Sequence, residues 1–442
     1  IGTETGLLIY DLHKESFIHN NFFKNSPYNL SNRIFTTLFL DKEDNIWAGT
    51  DGDGLYKINS KTRKIEVYKK ERANEFSLTS NTIVNINQDS RGNIWIVTKY
   101  GGFDIIPKQS KYINYHKGSN NNIPLRILCM YKSKNGDLWI GTDGNGITKI
   151  NKNHNNPKQY FDTDNFYVQS ITEDDNGNIW FGTYKNGLWF YNRHSNTFKN
   201  IPVVNSKNQK ATDVRTVFKD SQGRIWVGSN TAINIFSSDQ DLIASFCQNK
   251  NGLRGVIAES IIEDATNTIW IGVHKGGLFK FKENATIQHS SFVIYENKFD
   301  NNNNDPKVIS MLIGKPNEIW FINGASKLNL FNTKTEEFEN FDNLNSLKKA
   351  TLMALANQDP NNIWMSSANG VHHFDRKNNL VRSFHTSDGF QSNSFMLRSS
   401  FKDKNGNIYF GTAKGLNFFD PKKIIKKNSK AKLFVNDIKV LN

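Results

Sequence analysis

Short bursts of apolar residues, four to a unit and separated by turn formers, run along this chain. Around Trp180 they read "YVQSITE", "NIWFGT", "GLWFYN" and "FKNIP". Bursts of this length bounded by Gly, Asn and Asp predict β-strands. No unit carries the 3.6-residue stripe of an amphipathic helix, so helical repeats are excluded. The second burst is apolar on both faces, with Ile179 and Phe181 on one and Trp180 and Gly182 on the other. A strand in a one-sided sheet would alternate with polar residues, so this one is predicted to be covered on both sides.

The phrase around Trp180 recurs. Aligned on the aromatic residue, the copies centre on Trp47, Trp95, Trp139, Trp180, Trp226, Trp270, Trp320, Trp364 and Tyr409, spaced 41 to 50 residues apart. Eight of the nine tryptophans occupy this one position, which makes a chance pattern untenable. Three residues before each anchor stands Gly, Asn or Asp (Asp44, Gly177, Asn267 and Asn361 among them), residues that tolerate the positive φ of a tight hairpin. Six residues before it, six copies have Asp, whose carboxylate can accept from the backbone two residues on.

A four-stranded unit of this period, buried on both faces, predicts an all-β fold: a β-propeller of four-stranded antiparallel blades. Ten blades in one ring would exceed the usual four to eight. Counting seven anchors back from Tyr409 reaches Trp139, so 118–420 are expected to form a seven-bladed propeller. Residues 1–117 are then expected to be the last three blades of a preceding, truncated propeller, because "IGTETGLLIYD" matches only the second half of a copy. Residues 421–442 read as a basic linker and the first strand, "AKLFVNDIKVLN", of a further β domain.

Composition changes this picture little. The 442 residues are 37% hydrophobic and 12% aromatic, which fits a folded, β-rich chain stabilised by a few large side chains. The net charge of +14 comes mostly from lysines scattered through turns, a solvated surface first and attraction to an acidic partner second. Cys129 and Cys247 belong to no CxxC or metal-spaced cluster. No stretch reaches the length of a membrane span.

The phrase D-x-x-G-N-I-W-x-G-T-x-x-x-G-L-x-x-Y, nearly complete from Asp174 to Tyr191, resembles the two-component regulator propeller repeat. The resemblance extends over essentially the whole chain. It weakens at "NEIWFINGASKLNLF" and "NNIWMSSANGVHHF", which lose the Gly-Thr pair, and at "SNTAINIF", which lacks the Gly-Leu. It implies the periplasmic sensor region of a hybrid two-component system of Bacteroidetes, on the periplasmic side of the inner membrane. Such a receptor signals as a homodimer, and an Ig-like three-tyrosine domain, a membrane helix, a histidine kinase, a receiver and a DNA-binding domain follow the propellers. Direct nucleic-acid contact by this region is not implied.

No catalytic motif, cofactor site or metal site is expected. HExxH, GxSxG, Walker and Rossmann patterns are missing. The loop "TDGDG" at Asp51 invites a calcium reading, but the twelfth position of an EF-hand would be Thr62. His372 and His373 are adjacent and would point to opposite faces of a strand.

Binding is better supported. The first strand of each blade should line the central channel, and multi-loop mouths are where ligands usually sit. Eleven residues before each anchor stand Leu128, Gln169, Arg215, Glu259, Ile309, Met353 and Arg398, varied in kind, whereas the next residue stays small. Two arginines, a glutamate and a glutamine suit a polar ligand, and equally a water-filled channel closed by its own Arg–Glu pair. Nearby loops contribute Arg126, Tyr167, Tyr184, His274 and Lys275, with Tyr100 in the preceding blades. The candidate ligand-binding set is thus Arg126, Tyr167, Gln169, Tyr184, Arg215, Glu259, His274 and Arg398, and the expected partner is an oligosaccharide or other polar small molecule. Two alternatives stand beside this: a scaffold for secretion or for surface protein and lipopolysaccharide contacts, and a streptogramin-lyase-like enzyme using His274 and Glu259.

Overall fold

The computed structural model describes residues 1–18, 28, 30, 32–71, 77–90, 92–108, 113–117, 125–152, 157–161, 165–204, 210–247, 253, 257–274, 276–295, 307–341, 344 and 347–424. The basic run and terminal strand expected after 424, and Lys275, lie outside them. Two compact units result, 1–111 and 112–442.

In the second unit the described strands form seven four-stranded antiparallel blades. Their inner strands are Ile127–Lys132, Phe166–Glu173, Val214–Lys219, Ala258–Glu263, Val308–Ile313, Leu352–Asp359 and Phe395–Lys402. Each inner strand packs beside the next, and the seventh packs back against the first, which closes a ring. Three strands of blade seven come from the end of the ring. The fourth is Ile113–Lys117, which runs antiparallel to Gly415–Phe419 with Ile113 opposite Phe419. Periodicity alone had grouped this strand with the preceding blades.

Packing explains the repeated phrase. Trp180, Trp226, Trp320 and Trp364 are fully buried, and each fills the gap between its own blade and a neighbour. The glycine two residues later is required by close approach, since a Cβ on Gly182 would sit 2.9 Å from both Cγ1 and the carbonyl oxygen of Val214 in the next inner strand. In blade five this place is Ile322, which turns the contact into apolar packing with blade six. The following threonine closes the next turn, as where Thr183 Oγ1 donates to the Gly187 carbonyl at 2.6 Å.

The aspartate six residues before the anchor does more than cap its turn. Asp220 accepts from the amides of Gln222 and Arg224 and, through its other oxygen, from the Trp226 indole Nε1 at 2.8 Å. The same indole bond is made by Asp41, Asp89, Asp174 and Asp264, and Asp403 takes the Tyr409 hydroxyl. Blades five and six have Gly314 and Gln358 in this place, and the buried indole nitrogens of Trp320 and Trp364 find no hydrogen-bond partner among the described residues. Positive φ three residues before the anchor holds at Asp44, Asn267 and Asn317 and at the glycines, but not at Asn361. There Asp359 pairs directly with Asn362, which shortens the turn to two residues.

The first unit contains a four-stranded sheet, Phe35–Leu40 with its three successors, and a three-stranded sheet, Ile83–Gln88, Ile94–Thr98 and Gly102–Ile106. The second sheet buries Ile83, Ile86, Ile94 and Ile96 against the first. Its other face carries Trp95, Val97, Phe103 and Ile105, all exposed, with Trp95 at 38%. This anchor therefore departs from the buried position expected of it, because no further sheet of its unit covers that face among the described residues.

Candidate functional site: the channel mouth

The channel-lining row is produced by a β-bulge in each inner strand. Register shifts bracket Leu128, Gln169, Arg215, Glu259, Ile309 and Met353, each an extra residue with no partner of its own in the anchor strand. A bulged residue is left out of the ladder and its side chain is re-aimed, and Gln169, Arg215 and Glu259 thereby reach into the channel. Blade seven differs. Phe395 pairs with Thr412 and the next pair is Ser400 with Phe410, so the excursion is two residues longer than in the other blades. Arg398 sits inside it with φ of +59°.

The excursion carries Arg398 across the channel. Its Nη1 donates to Glu259 Oε2 at 2.6 Å and to the Glu259 carbonyl at 3.2 Å, and its Nη2 donates to Gln169 Oε1 at 2.8 Å. Blade seven thereby touches blades four and two, neither of which is its neighbour in the ring. Glu259, 4% exposed, also accepts from Arg215 Nη1 at 2.9 Å, while Arg215 Nε donates to Asp213 at 3.1 Å. His274 Nδ1 lies 3.2 Å and Lys307 Nζ 3.8 Å from the same carboxylate. Burial alone would raise the Glu259 carboxyl, but Arg398, Arg215, Lys307 and His274 together hold it below the usual carboxylate range. Burial pulls Arg398 down from its ordinary value, opposed by Glu259.

Five of the residues singled out from sequence thus form one cluster: Gln169, Arg215, Glu259, His274 and Arg398. Leu128, Ile309 and Met353 take the same bulged place on blades one, five and six, and Ile309 is buried in the core that blades five and six share. Asp213 and Lys307 were missed, although both stand thirteen residues before their anchors, as do Arg126 and Tyr167. The inner strand enters the channel there, two residues ahead of the bulge.

Arg126, Tyr167 and Tyr184 form a second group on blades one and two. Arg126 pairs with Asp143, and Asp143 lies opposite Tyr167 in a strand pairing that joins the two blades. Tyr167 and Tyr184 meet edge to face with ring centroids 6.0 Å apart. Lys185 Nζ caps both, 5.7 Å from the Tyr167 ring and 5.3 Å from the Tyr184 ring. Tyr184, 40% exposed, offers a ring edge and face beside a fixed cation. The matching loop positions on blades five to seven are Gly324, Ala368 and Ala413, so long side chains crowd only one side of the rim. Tyr100, on the first unit, is exposed under Lys99.

A closed ring of four-stranded blades with varied side chains at one mouth is a β-propeller with a candidate ligand site. Four stretches, 77–100, 119–144, 162–185 and 208–231, match the family described as two component regulator propeller. It is 26% identical over 455 residues to Histidine kinase P4 of Formosa agariphila, a match that covers 99% of this chain and 26% of that protein. The chain thus spans about a quarter of that relative's length. Among solved structures it resembles the extracellular domain of a hybrid two component system of B. thetaiotaomicron, with TM-score 0.76, 24% identity, and coverage of 95% of this chain and 54% of the other. A second such domain from the same organism matches with TM-score 0.57 and 21% identity over 94% of this chain and 56% of that one. Both structural likenesses are likenesses of fold.

Proposed function

We propose that this chain is the extracytoplasmic ligand-sensing region of a hybrid two-component histidine kinase and that it takes an oligosaccharide at the mouth of the ring. The observation that carries the reading is the contrast between a repeated scaffold and an unrepeated rim. Anchors, turns and bulges recur, while Arg126, Tyr167, Tyr184, Lys185, His274 and Lys307 do not, and they gather where a ligand would enter. The Tyr167–Tyr184 pair supplies an aromatic platform, and Lys185 and the Arg126–Asp143 pair supply hydrogen-bonding groups around it, the combination a sugar ring needs. The relation to a histidine kinase supports the signalling half of the reading. In it the ring lies on the periplasmic side of the inner membrane, a dimeric receptor carries the signal inward, and genes for glycan use respond. The first unit would then be part of a preceding propeller.

The signalling half is tested by reading the gene beyond residue 442 and by measuring autophosphorylation of the full receptor in vesicles. A membrane helix and kinase region, with phosphorylation that changes when oligosaccharide is added, are the expected results. A gene that continues into no kinase would overturn the reading.

A further inference from the structure

The inner strand of blade seven is unlike the other six, and the blade it belongs to is also where the chain joins the ring. Incoming strand Ile113–Lys117 is the outer strand of this blade. The outgoing helix Pro421–Ile424 follows directly on its third strand. Ile113 and Ile424, both buried, share one core with Phe395, Phe410 and Phe419 of blade seven and Trp364 of blade six. That core begins at the start of the inner strand, at Phe395, three residues before Arg398. The lengthened excursion between Phe395 and Ser400 therefore has one end in the core that holds both chain connections and its tip bonded to blades two and four.

We propose that Arg398 is a latch that couples the state of the channel to the blade through which the chain enters and leaves the ring. With the guanidinium held by Glu259 and Gln169, the excursion is drawn across the channel and Phe395 is held in the core. A ligand that takes over the bonds of either partner lets the excursion relax, and the change reaches Ile113 and Ile424 through packed side chains rather than through the neighbouring blades. Three features support a latch over a simple internal ion pair. An ion pair between adjacent bulges, as Arg215 makes with Glu259, needs no inserted residues. The left-handed φ at Arg398 is a costly conformation for a long side chain, and it coincides with bonds that reach across the channel. The guanidinium Nε is buried without a partner among the described residues, so the side chain is placed for its reach rather than for complete satisfaction. The latch is independent of which ligand the mouth accepts.

Hydrogen–deuterium exchange on the intact 442-residue chain tests this. Arg398→Lys keeps a charge but cannot bond blades four and two together. The latch predicts that amides in 113–117 and 421–424 exchange at least about tenfold faster in this variant, as for a local opening unit. Ile309→Val, at the matching bulge of blade five and outside the latch, should leave both segments unchanged. If Arg398→Lys yields no folded protein, Glu259→Gln, which weakens the same bonds from the far side, takes its place with the same expectation. Exchange that rises only in the inner strands around Gln169, Glu259 and Arg398, or rises equally in Ile309→Val, overturns the proposal, as does no change in either segment.

Discussion

Blades two, three, four and seven differ from blades one, five and six at both ends of the inner hairpin. At the bulge the first group has Gln169, Arg215, Glu259 and Arg398, and the second has Leu128, Ile309 and Met353. At the turn end the first group has Asp174, Asp220, Asp264 and Asp403 bonded to the anchor ring, and the second has Ser133, Gly314 and Gln358. The two ends are separated by the length of the strand, so neither feature dictates the other. Trp320 and Trp364, without the carboxylate, are as fully buried as Trp180 and Trp226 with it. Burial of the indole between blades therefore sets the blade geometry, and the aspartate adds to a position already determined.

The sharpest way to break this comparison is to remove the indole from one member of each group. Trp226→Ala and Trp320→Ala should each cost about 3–5 kcal/mol in chemical denaturation, with or without the aspartate. A large gap between the two would make the hydrogen bond, not burial, the organising contact. Next in size is the channel. Glu259→Ala strands Arg398 without a carboxylate, leaves Arg215 only Asp213 and should cost about 3 kcal/mol, while Met353→Leu, a volume-conserving change at an apolar bulge, should cost less than about 1.5 kcal/mol. Asp220→Ala removes the indole acceptor and two turn bonds and should cost about 2 kcal/mol. Trp320→Phe, which loses no hydrogen bond, should be milder than Trp226→Phe by about 1 kcal/mol.

A smaller effect separates blade six by pH. His372 is buried between the Ser367 and Ser383 hydroxyls, and His373 stacks on Trp364 and bonds Asn362. Burial lowers both imidazoles from 6.5 to about 4. The unfolded chain therefore binds protons that the folded blade refuses, so stability is full above about pH 6.5 and declines as pH falls toward 4. Thermal melts should show a loss of about 1 kcal/mol per histidine at pH 5.5. His373→Gln should make the decline shallower, and a melt that is flat across this range in the parent chain would contradict the assignment.

Much of the scaffold was legible because a repeat states its rule many times. Anchors, four strands per unit and the variable channel row all follow from aligning the chain with itself. What escaped is whatever happens once. Counting eleven residues back from Tyr409 finds Arg398, but a fixed offset cannot show that two extra residues precede it. Periodicity counts units and does not say which strand pairs with which, so Ile113–Lys117 was grouped with the copy it follows rather than with the blade it completes. The turn aspartate was legible as a backbone cap, whereas its bond to the indole depends on folding the anchor strand back over the turn. At the mouth, Arg215, Glu259 and Arg398 were visible as a row, yet only the fold reveals that they satisfy one another, with Asp213, Lys307 and His274 drawn in.

Trp180 and Tyr184 frame the same point within four residues, one fully buried between blades and one exposed at the rim. The claim that the rim binds ligand is tested most directly by calorimetric titration of the chain with a panel of neutral and acidic oligosaccharides, repeated on Tyr184→Ala and Arg126→Ala. The account predicts that at least one saccharide binds and that Tyr184→Ala weakens it about tenfold or more, which corresponds to about 1.4 kcal/mol of lost ring contact. Saccharide binding of equal strength in both variants, or no binding by the parent chain, would contradict it.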